Sequence, residues 1–124
     1  MNFSGTGCEQ SGWRPGLVFQ NNTGNQYSPN IIALPLTSAL KKGDQPTHVK
    51  LPKSIGLKSD SMVLCENPER LSKERIGFYI TTVPEEYLPN IVRANLLASS
   101  AIAYISPEQL LATRDAAVAL NKSR

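Results

Sequence analysis

Asn30-Ile31-Ile32-Ala33-Leu34-Pro35-Leu36-Thr37 is the stretch on which the reading of the fold turns. Ile31, Ile32, Leu34 and Leu36 make an apolar run bounded by polar residues, the mark of a buried strand. Pro35 has no N–H to give to a ladder, so this part of the strand is expected at a sheet edge or a bulge. Upstream, Leu17-Val18-Phe19 is a similar run that follows Pro15-Gly16 and ends in the turn-forming residues Gln20 to Asn25. Downstream, His48 to Leu51 alternates at period two, Ser61 to Cys65 is compactly apolar, and Ile76 to Ile80 offers a further strand with aromatic content. The intervals between these candidates are too short for crossover helices. A mainly β, α+β fold is therefore expected, with an antiparallel sheet curled into a small barrel.

Helical spacing begins after Thr82-Val83-Pro84-Glu85, where Thr82 is expected to cap, Pro84 suits the first turn and Glu85 reaches back. Leu88, Ile91, Val92, Leu96 and Ser99 mark one face, with Glu86 and Arg93 lying elsewhere; the helix should pack on the sheet. Ala101 to Ile105 reads as a short closing strand, and Ser106-Pro107-Glu108-Gln109 as a second capping signature opening a helix through about Leu120. No repeat or linker divides the chain. Residues 1–105 are taken as one domain and 106–124 as a helical extension of it.

Composition fits a single soluble domain: 124 residues, 40% hydrophobic and 19% charged. No stretch approaches the roughly 20 apolar residues that cross a bilayer, and the first residues lack the pattern of a signal peptide, so a cytoplasmic location without membrane contact is expected. Cys8 and Cys65 then read as free thiols. A net charge of +3 and a pI near 9.0 lean mildly toward a polyanionic partner.

One histidine and two distant cysteines match no zinc spacing, and no acidic cluster suggests a two-metal centre, so no metal or other cofactor is expected. Gly5-Thr6-Gly7 lacks the lysine of a phosphate loop, and no G-x-S-x-G elbow is present. Metal-free RNA cleavage asks less of a protein. The substrate brings its own nucleophile, the 2′-hydroxyl, leaving only a base, a cation for the phosphorane and an acid for the leaving oxygen. Arginine suits the phosphate role, because its planar fork binds two oxygens and keeps its charge, and Arg14 stands just before a strand and beside Trp13.

Gly7-Cys8-Glu9-Gln10-Ser11-Gly12-Trp13-Arg14-Pro15 closely resembles the MazF/PemK signature of a Gly-x-Glu-Gln loop followed by x-Arg-Pro. The resemblance continues through Gln20-Asn21, Gly24-Asn25, Tyr27-Ser28-Pro29, Leu36-Thr37-Ser38, Pro46-Thr47-His48-Val49, Asp60-Ser61 and Leu64-Cys65-Glu66-Asn67, spanning residues 3 to about 105. It implies an SH3-like, CcdB-like barrel with a packed helix and a metal-independent endoribonuclease toxin. Such a toxin cuts single-stranded RNA to 2′,3′-cyclic phosphate and 5′-hydroxyl ends. Arg14 would bind the scissile phosphate and protonate the leaving oxygen, and Thr37 would position or activate the 2′-hydroxyl. Glu66 aligns with an acidic position that serves as base in some members. Glu9, Gln10, Ser38 and Asn67 align with positions near the RNA groove, where amides and carboxylates read base edges of a splayed strand. An obligate homodimer and a small cognate antitoxin are implied as partners.

Two departures qualify the pattern. The family's opening strand, basic and then alternating apolar, is expected to be missing, leaving a sheet edge bare unless the helix from Ser106 to Leu120 fills the gap. Glu69 stands where the family's loop carries arginine, with Arg70 next to it able to compensate. Two alternatives follow: a CcdB-like toxin that binds a protein rather than cutting RNA, or an inactive relative that binds RNA or antitoxin. Taken singly, Arg14 could serve a surface ion pair and Thr37 a strand end. Glu66 and Asn67 could simply form the turn before Pro68, and His48 is read as structural. Trp13 is expected to cover the core edge in preference to stacking on a base. Lys41, Lys42, Lys50, Lys53 and Lys58 form either a groove rim or a solvated face.

Overall fold

The strand Asn30–Thr37 is the axis of the molecule. In the computed structural model, which describes residues 1–4, 11–38 and 45–122, the elements are β1 (Asn2–Ser4), β2 (Ser11–Trp13), β3 (Gly16–Val18), α1 (Asn22–Tyr27), β4 (Asn30–Thr37), β5 (His48–Leu51), β6 (Ser61–Leu64), β7 (Glu69–Ser72), α2 (Leu88–Ser99) and α3 (Pro107–Lys122). One edge of β4 carries β3, with Leu17 opposite Leu34; the other carries β7 and then β6, with Ile31 opposite Leu71 and Leu36 opposite Val63. β5 lies outside β6, and every pairing is antiparallel.

Alternation along β4 explains why its sequence is apolar almost throughout. Leu34 and Leu36 enter a cluster with Leu51, Leu57, Val63, Cys65, Ile91 and Ala94. Ile31 and Ala33 enter a second cluster with Phe3 and Leu71 on the opposite face. The antiparallel α+β architecture expected from the sequence is present, but the described strands do not close into a barrel: the sheet runs β3-β4-β6-β5 with β7 branching from β4.

The position of Pro35 follows from the hydrogen-bond pattern. Phe19 N donates to Ile32 O at 2.8 Å and Leu36 N donates to Pro15 O at 3.0 Å, so Gly16 and Pro35 form the non-bonded pair between them. The nitrogen of Pro35 therefore faces the other edge, where β6 leaves β4 at Val63 and β7 joins only at Glu69 opposite Ala33. Leu34 and Pro35 thus stand opposite the whole segment 64–68. This is the bulge that a proline in a central strand requires.

Several sequence expectations are corrected. Ile76 to Ile80 forms no strand; Phe78 is 85% and Tyr79 76% exposed, and the fifth member of the sheet is β7, where Leu71 alone is buried. The run Gln20 to Asn25 turns into α1, whose Asn21 cap accepts from Gly24 N at 2.9 Å. Thr82 caps nothing. Its hydroxyl meets Tyr79 OH at 2.7 Å, and a 3-10 turn at Glu85–Tyr87 leads into α2. The buried side of α2 is Ile91 and Ala94, with Tyr87 packed beside them, whereas Leu88, Val92 and Ser99 are exposed. Ala101–Tyr104 is a 3-10 turn entered through Ser100 at φ 56° rather than a closing strand.

α3 opens as expected. Ser106 Oγ accepts from Gln109 N at 3.1 Å while Gln109 Oε1 accepts from Ser106 N at 3.0 Å, a reciprocal box. The helix has no buried residue and meets α1, where Asn22 N donates to Asn121 Oδ1 at 3.2 Å. It does not replace an opening strand. β1 forms a separate two-stranded sheet with β2 and inserts Phe3, 1% exposed, into the cluster with Ile31, Ala33 and Leu71. Gly16 makes room: a Cβ there would lie 2.9 Å from Phe3 Cζ.

Candidate active site

Arg14 follows β2 and precedes the proline whose carbonyl accepts from Leu36. One step further along the same register brings the backbone of Arg14 level with Thr37. Thr37 pairs in turn with Met62, and Met62 with Lys50. Residues in one row of an antiparallel sheet share a face. The next row, with Leu36, Val63 and Val49, packs into the core, so Thr37, Met62 and Lys50 belong to the opposite face. The backbone of Arg14 is fixed by donation of its N–H to Met1 O at 3.0 Å; the side chain is half-buried, its Nε enclosed. Thr37 is half-buried and Ser38 exposed.

Glu66 stands on the turn that joins β6 to β7. Three hydrogen bonds hold this turn: Cys65 N to Thr47 O at 3.0 Å, Asn67 N to Leu64 O at 3.1 Å, and Asn95 Nδ2 of α2 to Cys65 O at 3.1 Å. The Glu66 Oε2 atom lies 2.7 Å from His48 Nε2, the histidine side chain being 7% exposed and the glutamate 34%. His48 is on the same strand as Lys50, two positions before it, and so shares its face. Cys65 points the other way into the core, where burial and, to a lesser extent, the charge of Glu66 push its thiol up to about 12. That thiol stays protonated at neutral pH.

The sheet thus brings Arg14 and Thr37 level with each other and sets the Glu66 turn against β5. Glu9, Gln10 and Cys8 lie outside the described residues, as do Lys41 and Lys42. Asn67 closes the turn through its backbone. Glu69 and Arg70 are not in a loop but in β7, opposite Ala33 and Ile32. Trp13, expected at the core edge, is 65% exposed and lies against Gly77, where a Cβ would come 3.1 Å from the ring.

Sequence reasoning gave no part in a site to His48, Asn95, Asn90 or Arg93. His48 was read as structural, yet it is the hydrogen-bond partner of Glu66. Asn95 braces the turn from α2. Asn90 and Arg93, off the helix face read as packed, line a cleft of about 380 Å³ at the edge of β5 together with Gln45, His48 and Lys50. Neighbouring basic and amide groups suit such a cleft to a polyanion with hydrogen-bonding bases. Among the described residues no group of three or more His, Cys, Asp or Glu side chains is placed to hold a metal ion, and no helix is long and apolar enough to cross a membrane.

Residues 1–97 match the family described as "PemK-like, MazF-like toxin of type II toxin-antitoxin system". The chain is 37% identical over 89 residues to endoribonuclease EndoA of Bacillus subtilis, covering 71% of this chain and 77% of that protein. Among solved structures it resembles MazF of Deinococcus radiodurans, with a TM-score of 0.69 at 27% identity over 80% of this chain and 88% of that one. It also resembles an endoribonuclease from a mycobacterial species solved in complex with its cognate antitoxin, with a TM-score of 0.62 at 27% identity over 71% and 82% of the two chains.

Proposed function

Because the chain belongs to the PemK-like, MazF-like toxin family, we propose that it is an endoribonuclease that cleaves single-stranded RNA at the row joining Arg14 and Thr37. The observation that supports this reading is the register of β3 and β4, which, extended through the Leu36 N to Pro15 O hydrogen bond, leaves the backbone of Arg14 level with Thr37 at the end of a rigid strand. Arg14 binds the scissile phosphate and stabilises the phosphorane. Thr37 orients the 2′-hydroxyl, and Glu66 accepts its proton as the 2′-oxygen bonds to phosphorus. The bond to the 5′-oxygen then breaks, and that oxygen takes a proton delivered at Arg14, leaving a 2′,3′-cyclic phosphate and a 5′-hydroxyl. No step calls for a metal. Glu9, Gln10, Ser38 and Asn67 are assigned to reading the RNA.

The protein is placed in the cytoplasm, where its substrate is, as a homodimer held in check by an antitoxin. The mycobacterial relative solved with its cognate antitoxin supports that partner. Residues 106–124 are read as an extension of the toxin domain, a reading supported by α3, which buries no residue.

The test is incubation of the purified protein with a long single-stranded RNA in EDTA, with 5′ ends mapped for wild type, Arg14→Ala and Thr37→Ala. Discrete cleavage by wild type is expected. Arg14→Ala should lose about 10²- to 10³-fold in rate, the usual effect of removing one transition-state donor. Cleavage by the variants at the wild-type rate would refute the assignment of these residues.

A further inference from the structure

We infer that His48 is a positioning residue for the base, holding Glu66 through Nε2 so that the other carboxylate oxygen is presented to the RNA. The inference rests on the reading of Glu66 as the base. A carboxylate oxygen only accepts, so the 2.7 Å contact requires the hydrogen on Nε2. Nδ1 is buried and has no partner among the described residues, so Nε2 is the one ring atom engaged in a hydrogen bond. The geometry therefore assigns to this ring the donation from Nε2 to Glu66 Oε2.

That ring is set by the fold. His48 N donates to Gln45 O at 3.0 Å, its strand is registered with Leu64 of β6, and its side chain is 7% exposed. Glu66, by contrast, is on a turn and 34% exposed. A carboxylate on a turn samples several rotamers, and one strong hydrogen bond to a fixed ring selects among them. Oε2 is occupied by His48. Oε1 has no partner among the described residues and is the atom left for the 2′-hydroxyl. The arrangement is the reverse of a catalytic triad: the histidine orients and the carboxylate carries the proton.

The experiment compares His48→Gln, His48→Asn, His48→Leu, Glu66→Gln and the double variant His48→Leu/Glu66→Gln, all as the full chain. The substrate is an RNA oligonucleotide containing the cleaved site, and binding is measured with the same oligonucleotide bearing a 2′-deoxy residue there. Glutamine places an amide N–H where Nε2 stands; asparagine places it nearer Nδ1, out of reach of Glu66. His48→Leu should lower kcat by about 10²-fold, the scale of a misplaced catalytic group. His48→Asn should fall similarly, and His48→Gln should recover kcat to within about five-fold of wild type, with KM and deoxy-RNA binding little changed in all three. The double variant should be no slower than Glu66→Gln alone, because the histidine acts through the glutamate.

Equal kcat for the Gln and Asn variants at equal melting temperature would overturn the inference, whether or not His48→Leu folds. A double variant much slower than Glu66→Gln would also overturn it. If Glu66→Gln itself cleaves like wild type, the assignment of the base fails instead, and the two failures are thereby distinguished.

Discussion

Replacing Phe3 by alanine tests the link between the first residues of the chain and the site. Phe3 is 1% exposed, touches Ile31, Ala33 and Leu71, and lies over Gly16, the residue that continues the chain from Arg14 into β3. Removing the ring forfeits its transfer free energy, about 2–3 kcal/mol, and leaves a cavity among Ile31, Ala33 and Leu71. The combined cost is about 3–5 kcal/mol. For a chain of this length each kcal/mol moves the midpoint by about 3–5 °C, so the melting temperature should fall by about 10–20 °C. Phe3→Leu, which keeps most of the volume, should cost less than about 1.5 kcal/mol. Thermal and urea unfolding followed by far-ultraviolet circular dichroism measure both. Because the backbone N–H of Arg14 is fixed to Met1, the Phe3→Ala variant should also lose cleavage at temperatures where it remains folded. A melting temperature within about 3 °C of wild type would refute the claim that β1 completes the core.

Asn95→Ala removes the brace on the Glu66 turn, and should cost about 0.5–1.5 kcal/mol in urea unfolding while lowering kcat more than it raises KM. Cys65, whose thiol is pushed up to about 12, should be alkylated at pH 8 in a Cys8→Ser background at least about 100-fold more slowly in the native protein than in guanidinium, as thiolate fraction dictates. The sign is fixed by the direction of the shift: the native state holds this proton more tightly than the unfolded one, so the thiol's contribution to stability is complete below its ordinary value and is lost as pH rises toward 12. Ser106→Ala with Gln109→Ala removes both halves of the α3 cap and should reduce helicity while moving the main melting transition by less than about 2 °C, since α3 buries nothing.

The sequence made the fold legible wherever the deciding interaction was local or the pattern was doubled. β4 was readable because both its faces are buried, which leaves an apolar run no loop would carry. The cap of α3 was readable because both partners of the box lie within one turn. β7 was not, because Glu-Arg-Leu-Ser holds one buried residue and its place is set by pairing with β4, a long-range event. Ile76 to Ile80 misled for the converse reason: its aromatics carry strand propensity, yet they stay in solvent. On α2, Leu88 and Val92 were assigned inward but are exposed, whereas Ala94 joins Ile91 in the core and Asn95 reaches Cys65 O of the Glu66 turn. At the site, Arg14 was legible from chemistry and motif together, while Thr37 and Glu66 were legible through resemblance alone. His48 and Glu66 stand 18 residues apart, and only folding reveals their contact.

The central claim is that this chain cuts RNA with the substrate's own 2′-hydroxyl, at a phosphate held by Arg14. The most direct measurement uses an oligonucleotide cleaved at a single position, prepared with ribose or with a single 2′-deoxyribose 5′ to that bond, and incubated with the wild-type protein in EDTA. Mass spectrometry of the products should find a 2′,3′-cyclic phosphate and a 5′-hydroxyl from the first and no cleavage of the second. Cutting of the deoxy-substituted strand at a comparable rate, or products ending in a 3′-hydroxyl and a 5′-phosphate, would contradict the account.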